Sequence, residues 1–213
     1  MNAKDVTETW KKIITHVAKS KRTYVDCSQR VCKEQLHTMV VIDNIVKRAE
    51  EPIFRMTQLT PYLYPSPEQI LRGFMTSQDD GLFCFSHGWR LFSWMDQINQ
   101  IDEFIIPLLT QDQHSRRAVA TLYSPSIDSK IYKTEVPCFV SIDIKRESNK
   151  LLFFAHIRSC DVVVGLPINL YQLSSIASYI AKKLGCKVGS TTIFFASAHY
   201  FKEQEELANR IIS

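Results

Sequence analysis

Strand-like segments recur at 38–46, which is rich in β-branched residues, and at 117–123, 136–144, 151–157, 160–164 and 191–197, and this constrains the fold most. The segment 136–144 alternates Val136, Cys138, Val140, Ile142 and Ile144, the period of two by which a strand sets one face on a core. Helical patterns lie between the strands. Residues 4–20 place Val6, Trp10, Ile13, Ile14 and Val17 at helical spacing. Ser66 and Pro67 read as the N-cap and first turn of another helix. Residues 92–110 predict a helix that ends or kinks near Pro107. Leu170 to Leu184 predicts a helix stopped by Gly185, and a polar helix follows the last strand. Helix and strand do not alternate cleanly, so the expected class is α+β and not a doubly wound fold.

The chain has 213 residues, 45% hydrophobic and 23% charged, which suits one domain spanning 1–213 with a substantial core and excludes disorder. A net charge of +4 fits an anionic ligand but is too small to argue for DNA binding, and none is expected. No apolar run reaches membrane-spanning length, and the charged N-terminus does not read as a signal peptide, so a cytoplasmic protein is expected. Cys27, Cys32, Cys84, Cys138, Cys160 and Cys186 lack zinc-ligand spacing. They are expected as reduced thiols, with no metal site.

Four segments carry chemistry: SRRAVATLYSP (115–125), VPCF (136–139), RSCDVVVGLPIN (158–169) and ASAHYF (196–201). Singly, each has an ordinary reading, as a solvated edge, a core thiol, a surface ion pair or a packed histidine. Together they present a cysteine, then Arg158 after 20 residues, Asn169 after 11 more and His199 after a further 30. A thiol needs nearby positive charge to ionise near neutral pH, and arginine suits phosphate because its planar fork bonds it twice.

In this order the motifs resemble thymidylate synthase and its relatives, the pyrimidine nucleotide hydroxymethylases, most clearly from about Ser86 to Phe201. The resemblance implies a three-layer α+β fold whose large mixed sheet packs against its twin in a homodimer. It also implies transfer of a one-carbon unit from 5,10-methylenetetrahydrofolate to carbon 5 of a pyrimidine nucleoside monophosphate. Cys138 would attack carbon 6, with Arg158 favouring its thiolate and binding phosphate. Arg116 and Arg117 would reach the phosphate bound by the partner subunit. Arg30 would be the local phosphate arginine, with Arg22 competing for that place. Asn169 would read the base edge, its donor and acceptor matching N3–H and O4 of uracil. Ser159 would contact phosphate, Asp161 the pterin of the folate and His199 the sugar. Glu68 would organise proton transfer through water; read without the resemblance, it is a first-turn glutamate favoured by the helix dipole. His87 falls where relatives carry a tyrosine that helps remove the carbon 5 proton, work an imidazole can do. In the alternative alignment that tyrosine matches Phe85.

The sequence departs from the family pattern at several points. Phe139 follows the cysteine where histidine is usual, Phe201 replaces a tyrosine, and Arg72 stands in place of a tryptophan that packs on folate. Tyr200 should face away from His199 and Phe201 in a strand. The segment that closes over folate is expected to be missing, since only twelve residues follow Phe201. These changes keep dUMP methylation as the leading expectation, because Asn169 is present. Hydroxymethylation of dUMP, dCMP or CMP by water trapping is the alternative. A nucleotide-binding member without turnover and an unrelated cysteine hydrolase are two further readings.

Overall fold

A computed structural model describes residues 1–75, 86–95, 97–133 and 135–213. The chain runs through β1 (Asn2–Ala3), α1 (Val6–Ala18), β2 (Thr23–Val25), β3 (Val31–Ile42), α2 (Glu51–Leu59), α3 (Pro67–Phe74) and α4 (His87–Phe92). A π-helical turn (Gln100–Ile105) then leads into α5 (Ile106–Gln111), β4 (Val119–Thr121), α6 (Pro125–Asp128), β5 (Phe139–Glu147) and β6 (Lys150–Ile157). The last elements are β7 (Cys160–Asp161), α7 (Leu166–Lys183), β8 (Lys187–Phe201), a 3-10 turn (Lys202–Gln204) and α8 (Glu205–Ile212).

Among the described residues the strands form one mixed sheet, ordered β1-β3-β8-β6-β5-β4, with β2 beside β3 and β7 beside β8. β8 is its spine, antiparallel to β3 and parallel to β6 and then β7. One face of the sheet meets the core through Val40, Ile42, Ile142, Ile144, Ile193 and Phe195. α1 adds Trp10, Ile13 and Ile14, and α7 adds Leu170, Leu173, Ile176 and Ile180. Burying these side chains is the main favourable term, about 1.5–3 kcal/mol each. The other face leaves Met39 and Phe154 exposed, with the Phe194 ring between those of His37 and His156.

The α+β expectation agrees with this architecture. Several boundaries differ. The predicted strand at 38–46 begins at Val31 and ends at Ile42. β5 begins at Phe139, so Cys138 lies just before the strand instead of within it. The strand expected at 160–164 is only two residues long, because the chain turns at 162–165 into α7, which starts at Leu166 and not Leu170. The helix expected over 92–110 is broken: Met95 takes φ 52° and Trp94 pairs with Ile98, so no helix crosses this stretch. Pro107 sits in the first turn of α5, where its missing N–H costs nothing, instead of ending a helix. Ser66 caps α3 in a capping box with Gln69.

Candidate active site

Pro137 and Cys138 lead into β5, and the backbone of Arg158 donates to the Cys138 carbonyl at 2.9 Å. The Arg158 guanidinium folds over the same loop, donating to the Pro137 and Val136 carbonyls at 2.9 and 2.8 Å. This arginine therefore clamps the loop that carries the cysteine. Ser159 beside it is half-buried.

The turn after β7 explains how Asn169 reaches the cysteine. Asp161 Oδ1 accepts from the backbone N–H groups of Val163 and Val164 at 3.0 and 3.1 Å, bending the chain sharply into α7. A Cβ at Gly165 would lie 3.0 Å from the Asp161 carbonyl oxygen, so the bend needs glycine there. Pro167 starts the helix, and Asn169 follows in its first turn. Asn169 is buried, its Oδ1 accepting from Cys138 Sγ at 3.6 Å and its Nδ2 donating to Cys160 Sγ at 3.6 Å.

His87 approaches from α4. Its Nε2 lies 3.8 Å from Cys138 Sγ, and its Nδ1 lies 3.2 Å from Gln172 Oε1. The ring meets Phe139 and Phe74 edge-on. The six-residue helix is too short to hold itself. Ser86 caps it, and Arg90 anchors it through Leu122 O at 2.5 Å and a two-pronged bond to Asp128 at 2.6 and 2.9 Å. That ion pair is fully buried.

Burial dominates the electrostatics. It pushes the Cys138 thiol up to about 11, despite the hydrogen bond to Asn169 and the nearby charge of Arg158. Arg158 does lower the thiol pKa, but desolvation outweighs this half-exposed guanidinium in the unliganded chain. Burial also holds His87 at about 4, so the imidazole is neutral.

Asp161 is fully occupied within the chain on one side. Its Oδ2 accepts from Gln204 Nε2 at 2.7 Å. His199 pairs with Asp161 across β7 and β8, and burial lowers its pKa against the opposing charges of Asp161 and Glu34. The His199 ring meets Phe201 edge-on, while Tyr200 is buried on the opposite side as alternation requires. Arg30 stacks on Phe201 at 3.3 Å and bonds Glu203 at 2.6 Å. Arg22 is instead tied to Glu34 at 2.5 Å. Both arginines that compete for the phosphate place come near His199, Arg30 through Phe201 and Arg22 through Glu34, which pairs with His199 across β3 and β8.

The remaining candidates stand apart. Arg116 and Arg117 are exposed just before β4 at the edge of the sheet. Glu68 is exposed in the first turn of α3, lowered in pKa by the Ser66 hydroxyl, and none of its hydrogen bonds among the described residues reaches Cys138. Arg72 on α3 is exposed. Phe85 and Cys84 lie outside the described residues.

With this geometry in hand, comparison with known proteins is decisive: the family model described as thymidylate synthase matches residues 69–213, more than half of the chain. The chain belongs to the thymidylate synthase family. A protein of Methanosarcina barkeri, provisionally named thymidylate synthase, is 27% identical over 100% of this chain and 94% of its own length. One from Methanocaldococcus jannaschii, with the same provisional name, is 31% identical over 68% of this chain and 69% of its own length. A thymidylate synthase of Phytoplasma mali is 29% identical over 57% of this chain and 40% of its own length. The protein is therefore an enzyme of a family that transfers one-carbon units to pyrimidine nucleotides, uses methylenetetrahydrofolate and serves nucleotide biosynthesis. Among the described residues no helix is long and apolar enough to cross a membrane.

Three participants were not anticipated from the sequence. Cys160 meets Asn169, Gln172 meets His87, and Gln204 holds Asp161. Gln172 had a legible signal: three residues after Asn169 on a helix, it shares that face.

Proposed function

We propose that this thymidylate synthase family member methylates dUMP, with Cys138 adding to carbon 6 of the uracil so that carbon 5 accepts the one-carbon unit. The observation that carries the reading is the 3.6 Å contact between half-buried Cys138 Sγ and the buried Asn169 Oδ1. A nucleophile beside an amide that offers both a donor and an acceptor suits the edge of a uracil ring. Arg158 clamps the nucleophile's loop and, with Ser159, faces the phosphate; Arg30 supplies a further cation and His199 meets the sugar. Glu68 organises water for proton movement once nucleotide orders the pocket.

Asp161 is the test of whether the folate fits. A carboxylate offers about four acceptor positions. Val163 N, Val164 N and Gln204 Nε2 take three, which leaves room for one N–H donor of a pterin ring. 5,10-Methylenetetrahydrofolate, when bound, supplies the carbon and, for a methyl product, the hydride. The chain's own part is to hold the nucleotide, activate the thiol and exclude water.

We further propose a homodimer formed through the exposed sheet face of Met39, Phe154 and Phe194, with Arg116 and Arg117 serving the partner's phosphate site, and the whole chain 1–213 as a single domain. The second reading, hydroxymethylation, is favoured by the internal engagement of Asp161 and by Arg72 on α3, both of which weaken the folate side and admit water. Incubating the protein with methylenetetrahydrofolate and dUMP, dCMP, UMP and CMP in parallel, and weighing the products, separates the two. Methylated dUMP is the expected result. A hydroxymethyl product selects the second reading, and no product from any of the four overturns both.

A further inference from the structure

We infer that the three-residue turn Lys202–Gln204 is an internal stand-in for two ligands, holding Arg30 with a carboxylate and Asp161 with an amide until nucleotide and folate displace it. The inference rests on the proposed function, in which Arg30 meets the phosphate of the nucleotide and Asp161 the folate. Glu203 Oε1 accepts from two nitrogens of Arg30, Nε and Nη2, both at 2.6 Å. This is a forked edge of the guanidinium, the part that suits a phosphate. The Arg30 guanidinium also lies over the Phe201 ring at 3.3 Å, so the cation is held in place while the carboxylate occupies it.

Gln204 is the next residue. Its Oε1 accepts from the Phe201 N–H at 2.9 Å. A backbone N–H only donates, so this bond decides which end of the amide faces Asp161. Nε2 accordingly donates to Asp161 Oδ2 at 2.7 Å, the kind of bond that a ring N–H of a pterin would make to the same carboxylate. Lys202, the third side chain of the turn, bonds Glu205. Arg30 precedes β3 and Asp161 ends β7, yet adjacent residues of one turn occupy both.

The ion pair is well exposed, 42% for the Arg30 side chain and 54% for Glu203. A pair so exposed is weak, on the order of a two- to fivefold factor in an equilibrium constant. A phosphate monoester, with nearly two negative charges at neutral pH, can therefore replace it. A three-residue turn moves as a unit, so drawing Glu203 off Arg30 also loosens Gln204 from Asp161. Whichever ligand arrives first displaces the turn, and the second meets a site already cleared. The two then strengthen each other's binding without touching.

The test is calorimetric titration of the full-length protein and of Glu203→Gln, Gln204→Met and Arg30→Ala, with the unfolding temperature of each variant read alongside. Glu203→Gln should bind dUMP about two- to fivefold more tightly than the wild type and leave neutral deoxyuridine unchanged. Tetrahydrofolate is then titrated in inorganic phosphate and in chloride of equal ionic strength, because free phosphate on Arg30 carries no base for a pterin to stack on. Phosphate should tighten tetrahydrofolate about two- to fivefold in the wild type. In Glu203→Gln and Gln204→Met the folate should bind that tightly in chloride alone, with no further gain from phosphate. A phosphate effect that survives in both variants overturns the inference. So does a Gln204→Met variant that loses folate affinity, since Gln204 would then support Asp161 instead of occupying it. Arg30→Ala separates this inference from the reading beneath it. If dUMP binds as tightly without Arg30, the phosphate assignment in the proposed function falls. If Arg30→Ala weakens dUMP but Glu203→Gln leaves it at the wild-type affinity, the inference alone falls.

Discussion

The nucleophile pocket and the arginines around it are built in opposite ways. Asn169, Cys138, His87 and Gln172 touch in that order, drawn from α7, the loop before β5 and α4 around the buried Asn169 and His87. Arg30, Arg116 and Arg117 are exposed and spread over both ends of the sheet order, one beyond β2 and two before β4. The cluster gains from exclusion of water, since hydrogen bonds and charges count for more in low dielectric. A phosphate site made by exposed cations from one chain is weak by comparison. On the proposed function, the contrast assigns the chemistry end of the site to one chain and leaves the anion end as the place where a second copy would contribute.

The comparison can be broken first at the anchor of the buried end. Replacing Arg90 with leucine leaves the buried Asp128 with only the Ser124 N–H at 2.8 Å and Lys133 at 3.4 Å, and should cost about 3 kcal/mol in a denaturation curve. An effect under about 1 kcal/mol would mean that the pair does not hold α4. Acid should attack the same region. His87 sits near 4 in the fold against an ordinary 6.5, so the unfolded chain binds the extra proton between those values. Stability present above pH 6.5 should therefore fall as pH drops toward 4, by up to about 3 kcal/mol from this residue. His199, lowered in the same direction by burial, adds to the loss. His87→Gln should flatten part of that decline; an unchanged acid limb would contradict a buried neutral imidazole.

The exposed end should respond more gently and in a different observable. Arg116→Ala combined with Arg117→Ala should raise KM for nucleotide, about 1.5–3 kcal/mol for each charge-assisted bond to phosphate, with the unfolding temperature unchanged. Mixing that variant with Cys138→Ser protomers should restore turnover, because one site of the mixed dimer would then have every part. No restoration after verified subunit exchange would place the arginines outside the partner's site.

Much of this was legible in the sequence, for identifiable reasons. The alternation at 136–144 and the strand-like segments at 151–157 and 191–197 located β5, β6 and β8, and Ser66 with Pro67 marked the start of α3, because burial and capping impose local patterns. The stretch after Phe92 misled because its apolar spacing continues the helical period, while among the described residues the positive φ at Met95, which spacing does not encode, departs from a helix. Cys138, Arg158 and Asn169 were recognisable by motif. The desolvation of the thiol was not, and so its raised pKa and the contact of Gln172 with His87 emerged only when α4 and α7 were seen to converge on the loop before β5. Gln204 was invisible for the same reason: 43 residues separate it from Asp161.

The central claim, that Cys138 in contact with Asn169 opens a pyrimidine ring to substitution at carbon 5, is tested most directly by loss of the hydrogen at that carbon. Incubating dUMP deuterated at carbon 5 with methylenetetrahydrofolate, and following deuterium release by NMR, reads the step common to methyl and hydroxymethyl products. The account predicts release by the wild type and a rate at least about 10⁴-fold lower for Cys138→Ser. Release by Cys138→Ser at the wild-type rate would contradict it.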